Sequence, residues 1–149
     1  ASIAHCPTSN YTLISGIMSV RKALKSGIKV GLGTDVSGGY SPSMLQTIRH
    51  TLTMSVAAKE LGLDADSVLD HKEAFYLATQ GGADALCLGD KVGSFEVGKQ
   101  FDALIIDSTT GNYDTFDWEE PQHRFEKFIY LGDDRNITNV FVNGKLLKL

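Results

Sequence analysis

Residues 1–33 read as a strand, a helix and a second strand, and no other feature restricts the fold so much. Residues 1–6 are a short apolar run stopped by Pro7. Ile17, Val20, Ala23 and Leu24 then fall at helical spacing, with Gly27 placed to cap the helix after Lys25. Residues 28–33, Ile28-Lys29-Val30-Gly31-Leu32-Gly33, form a second buried-strand candidate. Strand, helix and strand within about thirty residues predict a parallel pair joined by a right-handed crossover, the unit of α/β folds.

The rest of the chain divides by character. Thr8-Ser9-Asn10 is turn chemistry, and residues 33–42 are a loop rich in Gly and Ser. A long helix is expected over residues 43–61, with Met44, Leu45, Ile48, Leu52 and Val56 on one stripe and Gly62 ending it. Another is expected over residues 72–87, capped by Asp70 with Glu73 in the reciprocal position. After Leu88 short segments are punctuated by Gly89, Gly93 and Gly98. An apolar run at residues 101–106 comes next, then a polar surface excursion at residues 108–124. Residues 137–149 read as a hairpin turning at Asn143-Gly144. Two domains are expected, residues 1–92 of α/β type and residues 93–149 mainly β.

Composition narrows the function classes. Fourteen Lys and Arg against eighteen Asp and Glu give a net charge of -4 without a basic run, which argues against nucleic acid and anionic membranes as partners. No apolar stretch approaches the ~18 residues that span a bilayer. The first five residues lack a Met, a charged leader and a cleavage site, so they read as the inside of a strand and the chain as beginning within a fold. Cys6 and Cys87 are far apart in apolar surroundings, as expected of reduced thiols in a cytosolic protein.

Asp35 is the leading candidate for chemistry. It stands just past the second strand, at the edge where parallel-stranded folds gather ligands, and a carboxylate there can bind a metal or move a proton. A cap on the next turn is an equal reading of the same residue. His5 ends the first strand, as a packing residue or a ligand, and with Ser9 and Asn10 would share one rim with Asp35. Asn10 reads equally as a plain turn residue. His50, His71 and His123 read as surface or capping residues, and no His-x-His pair occurs. Residues 31–36 fail as a dinucleotide fingerprint because Val36 stands where the third glycine belongs. A Walker sequence and the Pro-Cys-x-x-Cys deaminase signature are likewise missing from the sequence.

Three stretches resemble the guanine deaminase family of the amidohydrolase superfamily. They are His5-Cys6-Pro7-Thr8-Ser9-Asn10, Gly31-Leu32-Gly33-Thr34-Asp35-Val36-Ser37-Gly38-Gly39 and Tyr130-Leu131-Gly132-Asp133-Asp134-Arg135-Asn136-Ile137. The first is common to the superfamily, and the third is the most specific to guanine deaminases. The resemblance implies a (β/α) TIM barrel joined to a β-sandwich built from both chain ends. A barrel needs ~250 residues. This chain would therefore supply the last two strands with their helices and the C-terminal half of the sandwich.

The implied reaction is hydrolytic deamination of guanine to xanthine and ammonia, in purine catabolism, using one zinc ion per complete site. Asp35 would be both metal ligand and catalytic proton acceptor. His5, Ser9 and Asn10 would serve the substrate or support the site, and Asp133 with Arg135 would form a local ion pair. The other ligands, a His-x-His pair and a further His, and a proton-shuttling Glu would lie upstream, leaving this chain inactive by itself. Zinc rests on the resemblance, since one carboxylate suits iron or manganese equally. The resemblance also implies a cytosolic homodimer acting on a small molecule. The alternatives are another amidohydrolase-type deaminase or chlorohydrolase, and a non-catalytic piece that binds a partner subunit.

Overall fold

A computed structural model describes residues 1–147; Lys148 and Leu149, at the end of the expected last strand, lie outside them. The chain divides into two compact units, Ala1–Ser94 and Phe95–Leu149.

In the first unit β1 (Ser2–His5) is followed by α1 (Pro7–Thr12), α2 (Val20–Lys25) and β2 (Lys29–Leu32). The strands pair in parallel from Ser2↔Lys29 to His5↔Leu32, and Gly33 N donates to His5 O at 3.0 Å. Both strands therefore end at the same rim. The connecting helix begins later than its apolar spacing suggested, because Ser19 caps it by accepting from Lys22 N at 3.2 Å. It stops at Gly27, whose φ of 74° suits a residue without a Cβ, and Ile28 N closes the turn onto Ala23 O at 3.1 Å. Thr8-Ser9-Asn10, expected as a turn, lie inside α1 instead. Pro7 takes its first helical position and Asn10 N donates to Cys6 O at 3.0 Å. Six residues are too few to show a period.

Helix α3 (Met44–Glu60) starts where Ser43 accepts from Gln46 N at 3.2 Å and ends before Gly62, at φ 70°. Its buried face differs from the expected stripe. Thr47, Ile48, Thr51, Leu52, Ser55 and Ala58 are buried, while Met44 and Val56 are exposed. Hydroxyls can line this face because Thr51 Oγ1 donates to Thr47 O at 2.9 Å and Ser55 Oγ to Leu52 O at 2.7 Å, so neither is buried unpaired.

The single helix expected over residues 72–87 is two, α4 (His71–Ala78) and α5 (Gln80–Ala85), broken at Thr79. The break lays Gly81 and Gly82 on β2. A Cβ on Gly31 would sit 2.8 Å from Gly82 Cα, and one on Gly81 3.0 Å from Val30 O. Glycine permits that approach, and a continuous helix would not make it.

The expected cap of α4 is present. Asp70 Oδ1 accepts from Glu73 N at 2.8 Å and Glu73 Oε2 from Asp70 N at 2.9 Å. Glu73 also receives Arg21 Nη2 at 3.0 Å, which ties α2 to α4. Replacing Asp70 by Ala is expected to cost about 1 kcal/mol. It would appear as a lower urea midpoint at constant m-value in the complete protein. An unmoved midpoint would mean that Arg21 and Glu73 hold the helix end alone.

The second unit is an antiparallel sheet of β3 (Ala103–Ile106), β4 (Ile137–Val142) and β5 (Lys145–Leu147), in that order. Asn143 and Gly144 have φ of 48° and 74°, the left-handed pair a two-residue hairpin turn requires. Helix α6 (Pro121–Leu131) was not expected: the polar reading of residues 108–124 hid a start at Pro121, with Phe125, Phe128 and the fully buried Ile129 at helical spacing. Before β4, Arg135 Nε donates to Asp133 Oδ1 at 2.9 Å and Nη2 to Oδ2 at 2.5 Å, the local pair expected there. Buried Asn136 fastens the same turn to Asp107 O at 3.0 Å and Thr110 O at 2.6 Å.

Candidate functional site at the common end of the parallel strands

Because β1 and β2 run parallel and in register, the segments leaving their C-terminal ends meet at one rim. After β2 the chain reaches Asp35 at φ 47°, a left-handed conformation that Asp tolerates better than most residues but that still costs energy. Asp35 Oδ2 accepts from Ser9 Oγ at 2.6 Å, and Ser9 is buried on α1, just beyond β1. The backbone behind Asp35 is equally fixed, with Gly39 N donating to Asp35 O at 2.7 Å. The loop can close this tightly only around glycines. A Cβ on Gly38 would lie 2.8 Å from Ser9 Oγ and 2.9 Å from Asp35 Oδ2, and one on Gly39 only 2.2 Å from Thr34 O. The result is an exposed carboxylate at the strand ends with one oxygen held from below.

The other expected residues take different positions. His5 reaches the rim by its backbone, but the residue as a whole is only 2% exposed. It lines a crevice with Asn10, Tyr11, Met18 and Met54 that has no room for a water molecule. Burial pushes its pKa down from 6.5 to about 4, so the ring is neutral, and its buried Nδ1 has no hydrogen-bond partner. Asn10 lies half-buried in that crevice and not in a turn. Thus Ser9 touches Asp35, whereas His5 and Asn10 lie together in the crevice. Cys6 is a free thiol whose pKa is raised by burial and, secondarily, by the charge of Asp35.

Reading His50 as a surface residue missed its position. It is half-buried on α3, its Nδ1 pairs with Thr8 Oγ1, and its Nε2 lies 3.1 Å from Tyr40 Oη and 2.9 Å from Gln46 Nε2. Gln46 four residues ahead was the available signal, since i and i+4 share a helix face. His71 opens α4, and His123 Nδ1 accepts from Glu120 N at 3.3 Å in the cap of α6. Among the described residues, no three His, Cys, Asp or Glu side chains converge to hold a metal ion, and no helix is long and apolar enough to cross a membrane.

The sequence profile of the amidohydrolase family matches residues 1–147. The chain belongs to the amidohydrolase family. Within it, the chain is 48% identical over 149 residues to the guanine deaminase of Dictyostelium discoideum, covering 99% of this chain and 33% of that one. Its fold superposes on the crystal structure of guanine deaminase from C. acetobutylicum with bound guanine in the active site. The TM-score is 0.85 at 41% identity, over 99% of this chain and 34% of that one. A zinc-bound adenosine deaminase from Xanthomonas campestris superposes with a TM-score of 0.77 at 30% identity, over 97% and 31% of the two chains. The chain thus spans about a third of the length of these amidohydrolases, and the parallel β1 and β2 with their helices fit a partial TIM barrel.

Proposed function

We propose that this chain is the part of a guanine deaminase that presents Asp35 to the metal and the substrate. The observation that carries the reading is Asp35 at the shared end of two parallel strands, its carboxylate aimed by Ser9 in a loop without space for side chains at Gly38 and Gly39. Identity favours guanine over other substrates, at 48% and 41% to guanine deaminases against 30% to the adenosine deaminase.

A carboxylate oxygen is a suitable zinc donor, and Asp35 can fill one coordination position, the remaining ligands coming from polypeptide outside this sequence. When bound, zinc supplies Lewis acidity that lowers the pKa of water toward ~7. The chain's own contribution is proton handling. The reaction forms a C–O bond at the guanine carbon bearing the amino group and breaks the C–N bond there. Asp35 accepts the proton released by the attacking water and returns it to the departing nitrogen, which leaves as ammonia. Ser9 acts through Asp35 by fixing its second oxygen. His5 and Asn10 support the strand end from the crevice beneath. The zinc ion, a homodimeric assembly and a cytosolic location belong to the same proposal.

The test is an assay of the complete polypeptide with guanine, adenine and a triazine, alongside metal analysis. Equimolar xanthine and ammonia with about one zinc per chain are expected, and no turnover by residues 1–149 alone. Turnover of another substrate and not guanine would replace the substrate assignment. Activity in the 149-residue chain would refute the incomplete-site reading.

A further inference from the structure

Asp35 is held in two ways, through its side chain by Ser9 and through its backbone by the Gly39 amide. Each of these partners has a neighbour that ends on the same imidazole. Thr8 precedes Ser9 on α1 and pairs with His50 Nδ1, and Tyr40 comes after Gly39 in the loop and reaches His50 Nε2 at 3.1 Å. The two rings also meet edge to face, 5.7 Å apart at 67°. His50 itself stands on α3, a 17-residue helix whose adjacent residues Thr51 and Leu52 are buried. It is therefore a rigid post between the two arms that grip the carboxylate.

We propose that His50 is a positioning residue for Asp35, locking α1 and the loop of residues 33–42 into one unit. This rests on the reading of Asp35 as the catalytic carboxylate. The network sets the tautomer. Gln46 Nε2 is a donor at 2.9 Å from His50 Nε2, so Nε2 is the acceptor, and Nδ1–H donates to Thr8 Oγ1. Tyr40 Oη, 3.1 Å from Nε2, shares that one lone pair with Gln46 in a bifurcated contact. Burial lowers the pKa of His50, which keeps the ring in this neutral form.

Two readouts test this in the complete protein. The first needs no activity: hydrogen exchange at the Gly39 amide, whose bond to Asp35 O the post protects. His50→Ala is expected to speed that exchange about tenfold or more. His50→Gln places an amide oxygen where Nε2 was, so it keeps the Tyr40 link but loses the one to Thr8, and should restore protection in part. Tyr40→Phe should match His50→Ala, and combining them should add little, because both remove the same link.

The second readout is kinetic, with kcat for guanine falling about 10- to 100-fold in His50→Ala at nearly unchanged KM, the usual cost of losing a partner that orients a ligand. Recovery by Gln would separate positioning from mere packing. The proposal is overturned if the Gly39 amide stays protected in both His50→Ala and Tyr40→Phe, or if Gln behaves no better than Ala. Absence of guanine turnover in the unaltered protein would defeat the substrate reading, while the exchange measurement would still decide the role of His50.

Discussion

Asp35→Asn in the complete enzyme is expected to abolish guanine deamination, lowering turnover by at least about 10³-fold, within the range for loss of a positioned general base. The substitution separates charge from shape. Asparagine keeps the size of the side chain, and its carbonyl oxygen can still accept from Ser9 Oγ, now 2.6 Å from Asp35 Oδ2. The crowding around Gly38 and Gly39 is unchanged, and the backbone φ of 47° suits asparagine at least as well as aspartate. The fold should therefore survive, with an unfolding midpoint close to that of the metal-free parent. What disappears is the negative charge that would neutralise a cation and the lone pair that would take a proton. Zinc content should fall together with activity. An Asn variant retaining zinc and turnover would remove Asp35 from the mechanism. One that lost activity but kept a full complement of zinc would make it a base and not a ligand.

The sequence exposed this site unevenly, for reasons visible in particular residues. The rim was readable because a parallel crossover leaves both strand ends on one side, so residues 5–10 and residue 35 had to converge. The Asn143-Gly144 turn and the Asp70 and Glu73 cap were readable because each is a local motif with its own geometry. Most of what escaped depends on contacts distant in sequence. The bend at Thr79 exists because Gly81 and Gly82 press on β2, roughly fifty residues away in the chain, which no helical period reveals. The buried face of α3 carries Thr47, Thr51 and Ser55 because each helix hydroxyl finds a nearby backbone carbonyl, so an apolar count found Ile48 and Leu52 but missed these three and took in the exposed Met44 and Val56. His50 was misplaced because its partner Thr8 is 42 positions away. Ser9 was placed at the rim, but that it touches Asp35 whereas His5 does not depends on which way each side chain turns.

His5 supports the second large prediction, a loss of stability in mild acid. Its folded pKa of about 4 lies below its ordinary 6.5, so as pH falls the unfolded chain takes up the proton first. The stability linked to His5 is then fully present above pH 6.5 and lost as pH descends through 6.5 toward 4, below which no further loss arises. At about 1.4 kcal/mol for each pKa unit, this amounts to roughly 2 kcal/mol at pH 5 and about 3 kcal/mol in full. His5 is only 2% exposed, so burial goes on depressing its pKa when further polypeptide is present. His5→Gln supplies the control, since it removes the titration while other acid-sensitive groups, bound zinc included, titrate in both proteins. Denaturant unfolding from pH 7.5 to 4.5 should give two curves that run parallel above pH 6.5 and diverge below it, the parent falling more steeply. Curves that stay parallel throughout would mean that the crevice opens to water and that His5 titrates as an ordinary surface imidazole. The divergence would be the acid-labile component of the strand end on which Ser9, and through it Asp35, depends.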